Sequence, residues 1–346
     1  MAIQSPRVEI SFAGRDKAWG DGKGLPMTRV SIWLALGAVL AFAAPAQAAP
    51  AGETACGRAC LGRLLDGYLA AVVAHDPDRA ALDFTFRQTQ NAVVVARGEG
   101  LWRDATGLGP VQRRYVDPST GTAAYFGTLI LGGGETAVAA LRLHETAGKV
   151  DEAEWNISRA SDPGISEGQK AMFDAPTLLA DPPPERVAPP EDRLTREQLV
   201  AVANSYFDGI TSADPRIIMA HPGCKRLENG LKTTGRPLPA GRESEGPGGV
   251  SDCTSGQGHF GISLVAGRRY PMADVEAQVV LAIGAFLRTP GESKRRNQFM
   301  EFFFVDHGKI RSIYAAFFYP PPSQPVPNWP PYEGHFPLPA DFGAAK

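Results

Sequence analysis

Two glutamates placed two apart, Glu152 and Glu154, stand in the segment VDEAEWNIS. Along a strand, alternation puts them on one face with Asn156 and turns Ala153, Trp155 and Ile157 to the other. In an apolar hollow two neighbouring carboxylates repel, so one keeps its proton and the pair can serve as acid and base. On an outward face they are ordinary solvated charges, and that plainer reading is the expected one. Arg142, in LRLHE, is their candidate partner. The doublets Arg113-Arg114 and Arg268-Arg269 alternate as well, so one member of each can turn inward toward an anionic group, with surface ion pairing as the default.

Four cysteines, Cys56, Cys60, Cys224 and Cys253, allow three disulfide connectivities. Cys56 with Cys60 and Cys224 with Cys253 is the favoured pairing. The second pair closes a loop rich in Gly, Ser and Pro, and a cross-link over such a loop contributes roughly 3 kcal/mol in the chain-entropy account. The first joins residues four apart, near the upper Cα separation a disulfide tolerates if they lie on a helix. Zinc is the rival, but paired Cys-x-x-Cys or His-x-x-x-His units are missing. The chain also lacks a Gly-x-Ser-x-Gly elbow, a phosphate loop and a His-Glu-x-x-His helix. GLGP at 107–110 and LGGGE at 131–135 read as hairpins, so no metal and no cofactor is expected.

The elements that position these residues belong to a chain of 346 residues with 35 basic and 37 acidic side chains, 43% apolar residues, 38 Gly and 30 Pro. Its apolar content argues against disorder, and the absence of a basic excess argues against a nucleic-acid partner. Residues 28–48 carry Arg29, an apolar run from Val30 to Ala44, and Ala46-Gln47-Ala48, a signal-peptidase pattern. The run is shorter than the ~20 residues of a membrane span. The sequence therefore predicts export to the periplasm or the extracellular space, with cleavage after Ala48. It also predicts translation from Met27, which makes residues 1–26 a gene-model extension and 27–48 the leader. Loss of residues 1–48 leaves 30 basic and 34 acidic side chains, a mildly acidic mature chain.

The chain repeats itself. LLDGYLAAVVAHDP at 64–77 matches VANSYFDGITSADP at 202–215 without a gap, setting Tyr68 over Tyr206 and Asp76-Pro77 over Asp214-Pro215. At the same offset Gln90 meets Glu228 and Asn91 meets Asn229. Arg113-Arg114-Tyr115 then matches Arg268-Arg269-Tyr270, and Gly148-Lys149-Val150 matches Gly308-Lys309-Ile310, which places Glu154 over Tyr314. Each copy opens with an amphipathic helix. Leu61, Leu64, Leu65, Tyr68, Leu69, Val72 and Val73 form one stripe; Leu199, Val202, Ala203, Tyr206, Phe207 and Ile210 form the other, behind a Thr195–Gln198 capping box. Strand-like segments follow: NAVVVA, TAAYFGTLIL, TAVAALRLHE and VDEAEWNIS in the first copy, and GHFGISLVAGRRY, AQVVLAIGAFL, QFMEFFFVDH and KIRSIYAAFFY in the second. The fold class predicted is α+β, with units at 53–165 and 193–320, a Pro-rich linker at 174–192 and a Pro-rich tail at 321–346.

Helix, Asp-Pro turn, acidic-polar motif and antiparallel strands, in about 100 residues per copy, resemble the cone-shaped nuclear-transport-factor-2-like fold of SnoaL-like cyclases, scytalone dehydratase and ketosteroid isomerase. The tandem form, with an early Cys, YFD, CKRLENG and RRYPMAD, is similar to an exported family of unknown function found in fungi and bacteria. The resemblance covers residues 56 to about 320. It implies a mostly apolar pocket for a small apolar or aromatic molecule, with a carboxylate near the start of the first strand as base, opposite a helix tyrosine and a late-strand polar group. Glu228, Tyr206 and Tyr314 occupy those places. A His and carboxylate dyad is implied for dehydratases of this fold, which nominates His221 with Glu228 or Asp274.

Arg226 and Asn229 flank Glu228 and, with Arg268, Arg269, Arg142, Glu152 and Glu154, are the expected binding residues. The plainer alternatives are that Glu228-Asn229-Gly230 makes a turn, with Glu228 paired to Arg226 or Arg268, that Tyr206 is core, and that Asp274 closes a turn. The function expected is a cofactor-free lyase, dehydratase or isomerase centred on the second copy, which keeps Glu228; the alternative is a binding protein for a hydrophobic ligand. The first copy either adds a pocket or only shields the sheet of the second, giving a monomer by pairing of the repeats, or else a homodimer.

Overall fold

Two stretches of this chain build the same six-stranded sheet. The computed structural model describes residues 56–235, 251–255, 261–289, 295–321 and 324. The expected extension and leader, and nearly all of the tail, lie outside them. The first unit runs through α1 (Arg58–Val73), β1 (Leu82–Gln90), β2 (Val93–Val95), α2 (Leu101–Asp104), β3 (Ala105–Asp117), β4 (Thr122–Leu131), β5 (Thr136–Thr146) and β6 (Lys149–Arg159). A connection carrying α3 (Ala175–Ala180) leads to the second: α4 (Arg196–Ser212), β7 (Ala220–Glu228), β8 (Leu231–Lys232), β9 (Ile262–Asp274), β10 (Val279–Arg288), β11 (Asn297–Asp306) and β12 (Lys309–Phe318). The sheet orders are β2-β1-β6-β5-β4-β3 and β8-β7-β12-β11-β10-β9. In each, the first long strand pairs in parallel with the last, and the other pairs are antiparallel. This is the tandem α+β organisation that the repeat predicts.

The repeat extends to the register. Gln88 faces Ala153, Thr89 faces Glu154 and Gln90 faces Trp155 across β1 and β6; Arg226 faces Ile313, Leu227 faces Tyr314 and Glu228 faces Ala315 across β7 and β12, with an irregularity at the corresponding point of both ladders. The Asp-Pro turns also agree. Asp76 and Asp214 each accept a hydrogen bond from the amide two residues on, at 3.0 Å, and start a short 3-10 turn. The residue before each aspartate is left-handed, His75 at φ 56° and Ala213 at φ 52°, which ends the helix.

Two expectations need correction. GLGP does not form a hairpin but lies inside β3, because Gly109 lets this strand press against β4; a Cβ there would stand 2.2 Å from the Thr128 hydroxyl. NAVVVA shrinks to the three-residue edge strand β2, after the Asn91-Ala92 turn.

Three apolar clusters divide the body. One lies between α1 and its sheet, around Leu65, Tyr68, Trp102 and Trp155. A second lies between α4 and its sheet, around Leu199, Tyr206, Phe207, Phe299 and Phe303. The third lies between the sheets and draws Tyr115, Phe126 and Val138 from the first unit and Leu281, Phe302, Phe304 and Tyr314 from the second. Each sheet thus buries one face under its own helix and the other against the partner sheet, which is why its strands read as continuous apolar runs.

Reciprocal ion pairs clamp the seam. Arg58 of α1 binds Asp274 through both carboxylate oxygens, at 2.9 and 3.0 Å, and Arg196 of α4 binds Asp117 at 2.9 Å. Asp274 also accepts from the Val116 amide at 3.0 Å, and Asp117 from the Ala273 amide at 2.9 Å. The two clasps are therefore related element by element, as in an interface with two-fold symmetry. The connection packs at the same seam, with Leu178 buried and Tyr314 donating to the Asp181 and Pro182 carbonyls.

Candidate functional site

Strand alternation decides which side chains face α4. On β7, Cys224, Arg226 and Glu228 point there; on β11, Phe299, Glu301 and Phe303 do. Glu228 and Glu301 are both register partners of Ala315 on the intervening β12, so a row across three strands reads Glu228, Ala315, Glu301. Two strand spacings set the carboxyl-bearing positions about 10 Å apart. Arg226 sits beside this row, with its Nε 3.0 Å from the Glu228 carboxylate, while its Nη1 donates to the Tyr206 hydroxyl. Farther along, Arg288 donates to the Asn297 amide oxygen at 2.8 Å. Aromatic rings pack around these side chains, with Tyr206 edge-on to Phe303 and Phe207 stacked on Phe299.

Burial raises the proton affinity of both carboxyls to different extents. Glu228 is pushed up by desolvation and partly restored by Arg226 and Arg288. Glu301 is pushed well above the usual carboxylate range by desolvation, with Arg226 opposing and the Glu228 charge adding to the rise. Oε2 of Glu301 is buried without a hydrogen-bond partner. Both carboxyls thus hold their protons more tightly than free ones do, Glu301 the more so, because Arg226 and Arg288 oppose the rise at Glu228. Burial also raises the Tyr206 phenol, keeping it a neutral donor.

The equivalent row in the first unit is Gln90, Trp155, Leu141. Gln88 stands where Arg226 does and accepts from the Trp102 indole at 2.7 Å, and Tyr68 donates to it. Trp155 and Trp102 flank Tyr68 at 6.4 and 5.3 Å between ring centres. The first hollow is filled by indoles and carries no carboxyl in the row; a depression at its edge, lined by Gln88, Gln90, Trp102 and Trp155, has no room for a water molecule.

The structure thus brings Glu228, Arg226 and Tyr206 together but leaves the other expected members elsewhere. Glu228 ends the first strand of its unit rather than starting it. The turn reading of Glu228-Asn229-Gly230 also holds, since Asn229 and Gly230 both have positive φ and join β7 to β8 as a two-residue hairpin. Asn229 spends its side chain on the Phe317 backbone, at 2.7 and 3.1 Å. Tyr314 points to the opposite face, into the seam, because it is one residue out of phase with Ala315. Asp274 belongs to the Arg58 clasp. His221 lies 2.9 Å from the Asp306 carbonyl at the far end of β7, away from both proposed carboxylate partners.

Glu152 and Glu154 are neither solvated charges nor a proton-sharing pair. They face the second unit; Arg142 on the neighbouring β5 binds both, and Arg269 crosses the seam to Glu154. Burial alone would raise the Glu154 carboxyl, but Arg269 and Arg142 together hold it below the usual range. Arg268 pairs with Asp208 of α4 at 2.7 Å. Both favoured disulfides are present, Cys56–Cys60 and Cys224–Cys253, with Cα atoms 5.2 and 5.3 Å apart, and they are compatible with an oxidising compartment. Among the described residues no cluster of three His, Cys, Asp or Glu could hold a metal, and no helix is long and apolar enough to cross a membrane.

The residue that sequence reasoning passed over is Glu301. Its signal was available: a lone charge in the apolar strand QFMEFFFV, in phase with Phe299, Phe303 and Val305. Arg288 and Asn297, at the strand ends of the same face, left no comparable trace.

Residues 192–317 match a domain of unknown function, DUF8021. No curated protein matches the chain. Among solved structures, a protein of unknown function with a cystatin-like fold from Methylobium petroleophilum PM1 is 14% identical, with 39% of this chain and 97% of that chain covered and a TM-score of 0.28. An NTF-2 like protein of unknown function from Burkholderia xenovorans LB400 is 13% identical, with 37% and 95% covered and a TM-score of 0.26. The family match thus falls on the second unit, the one that carries the carboxyl row.

Proposed function

We propose that the second unit is the working half of an exported protein, and that its hollow performs cofactor-free acid–base chemistry, as a lyase, dehydratase or isomerase, on a small apolar or aromatic molecule. The observation that carries this reading is the row Glu228, Ala315, Glu301 set against Gln90, Trp155, Leu141. Alanine stands between the two carboxyls where the first unit places an indole. In the reaction, the Glu228 carboxylate takes a proton from a substrate carbon while the Glu301 carboxyl or the Tyr206 phenol gives one to the oxygen that becomes negative or departs. Arg226 opposes the rise in the Glu228 proton affinity and so favours the carboxylate form that the reaction needs. The aromatic walls supply the apolar contact and exclude water.

The test begins with native mass spectrometry of the mature protein, to identify a small molecule carried from the host. Glu228→Gln is expected to keep that molecule bound and to lower its conversion by about 100-fold or more, the usual contribution of a positioned base. Wild-type protein that holds the molecule and returns it unchanged would make the second unit a binding module instead. Wild-type conversion in Glu228→Gln would remove Glu228 from the chemistry.

A further inference from the structure

The two helices that supply the clasp arginines begin at equivalent positions. Gly57 corresponds to Thr195, Arg58 to Arg196 and Cys60 to Gln198, at the offset that relates Tyr68 to Tyr206. In α4 the first turn is closed by a capping box: the Thr195 hydroxyl accepts from the Gln198 amide and the Gln198 side chain accepts from the Thr195 amide. In α1 the cap is Gly57, which has no side chain to offer, and no side-chain hydrogen bond caps the helix. What stands there instead is the Cys56–Cys60 disulfide, which runs from the residue before the cap to the third residue of the helix. It spans the segment that the capping box spans in α4.

Both first turns carry the same load. Arg58 reaches Asp274 and, at 3.0 Å, Glu276 in the second unit; Arg196 reaches Asp117 and the Tyr270 carbonyl. We propose that the Cys56–Cys60 disulfide is a positioning device, a covalent substitute for the capping box that fixes the first turn of α1 so that Arg58 can close its clasp across the seam. An uncapped first turn leaves amides without acceptors and frays, and a frayed turn must be reordered before its arginine can bind. Asp274 would then lose its bidentate partner, and the Val116 amide, which Asp274 accepts, would be less protected. The mirror clasp has its own capping box and should not respond. That asymmetry separates positioning from general stapling of the fold, and it is independent of the function proposed above.

The experiment uses the mature full-length chain and hydrogen exchange at two amides, Val116 and Ala273, one from each clasp. Replacing both cysteines, C56S/C60S, is expected to speed exchange at Val116 about five- to tenfold, the effect of losing a helix cap, and to leave Ala273 as in the wild type. The melting point should fall by about 3 °C. Arg58→Ala should reproduce the Val116 effect in the wild type and add nothing in C56S/C60S. Grafting the capping box into the disulfide-free chain, C56S/G57T/C60Q, should restore protection at Val116. The proposal is overturned if Val116 is unmoved, if both amides speed up alike, or if Arg58→Ala costs as much without the disulfide as with it. Should C56S/C60S fail to fold, the grafted chain decides: protected Val116 supports the proposal, and fast exchange there refutes it.

Discussion

Two buried glutamates in this protein respond to pH in opposite directions, because one has a tight ring of partners and the other has an oxygen with none. Glu301 has its proton affinity raised well above the ordinary 4.5 by burial. Below that value the carboxyl is protonated whether the chain is folded or not, and it costs least. As pH rises past 4.5 the unfolded chain releases its proton while the folded one holds it, so stability falls until the folded carboxyl ionises. Glu301→Leu, which copies Leu141 of the first unit, should therefore raise stability by about 1–3 kcal/mol at pH 8 and much less at pH 5. Melting curves of the two proteins across that range check it; a stability gap that does not widen with pH would contradict the assignment. Glu154 behaves in the opposite sense. Arg269 and Arg142 depress its affinity, so its contribution is present above 4.5 and lost as pH falls through its lowered folded value. Glu154→Gln should cost about 3 kcal/mol at pH 7, since it leaves buried guanidiniums facing a neutral amide, and little in strong acid. Neither behaviour was legible from residue type. Glu152 and Glu154 looked like a solvated or proton-sharing pair because alternation names a shared face but not what lies opposite it.

At the scale of elements, the seam tests the repeat most directly. The Arg58–Asp274 and Arg196–Asp117 clasps are built alike, with aspartates that are 1% and 3% exposed. Asp274→Asn and Asp117→Asn should each lower stability by about 1–3 kcal/mol and by amounts within twofold of each other, measured by urea unfolding. A large effect at one and none at the other would show that the halves no longer pack as equivalents. Much of the element level was legible. The helix stripes, capping box and Asp-Pro turns are local patterns, and they stand where the sequence puts them. The strand LDFTFRQTQ carries only three alternating apolar residues, Leu82, Phe84 and Phe86, before the polar run Arg87-Gln88-Thr89-Gln90, and its Phe84 is 96% exposed. GLGP was misplaced because glycine marks both turns and close strand contacts, and only the neighbour, Thr128, says which.

For the whole molecule, pairing of the sheets inside one chain makes a second copy unnecessary. Each sheet already has its helix on one face and the other unit on the other. The mature protein should run as a monomer by light scattering at micromolar concentration; a mass twice that of the chain would mean that another surface is in use. The difference between the faces under α1 and α4 is also a whole-chain property. The face under α1 is covered by Trp102 and Trp155, and the face under α4 carries two carboxyls, two arginines and an alanine between the carboxyls.

What the sequence determined by itself was the copying of one α+β unit, the favoured cysteine pairs and the place of Glu228 opposite Gln90 in the two copies. Such features rest on offsets, periodicities and residue types, which local physics reads without knowing the fold. What only the tertiary structure decided was company. Asp274, Tyr314 and Glu154 left the pocket for the seam, and Glu301 joined Glu228 across β12. Proton affinity and pairing depend on which strand lies next door and which face is covered, and no spacing within one strand contains that information.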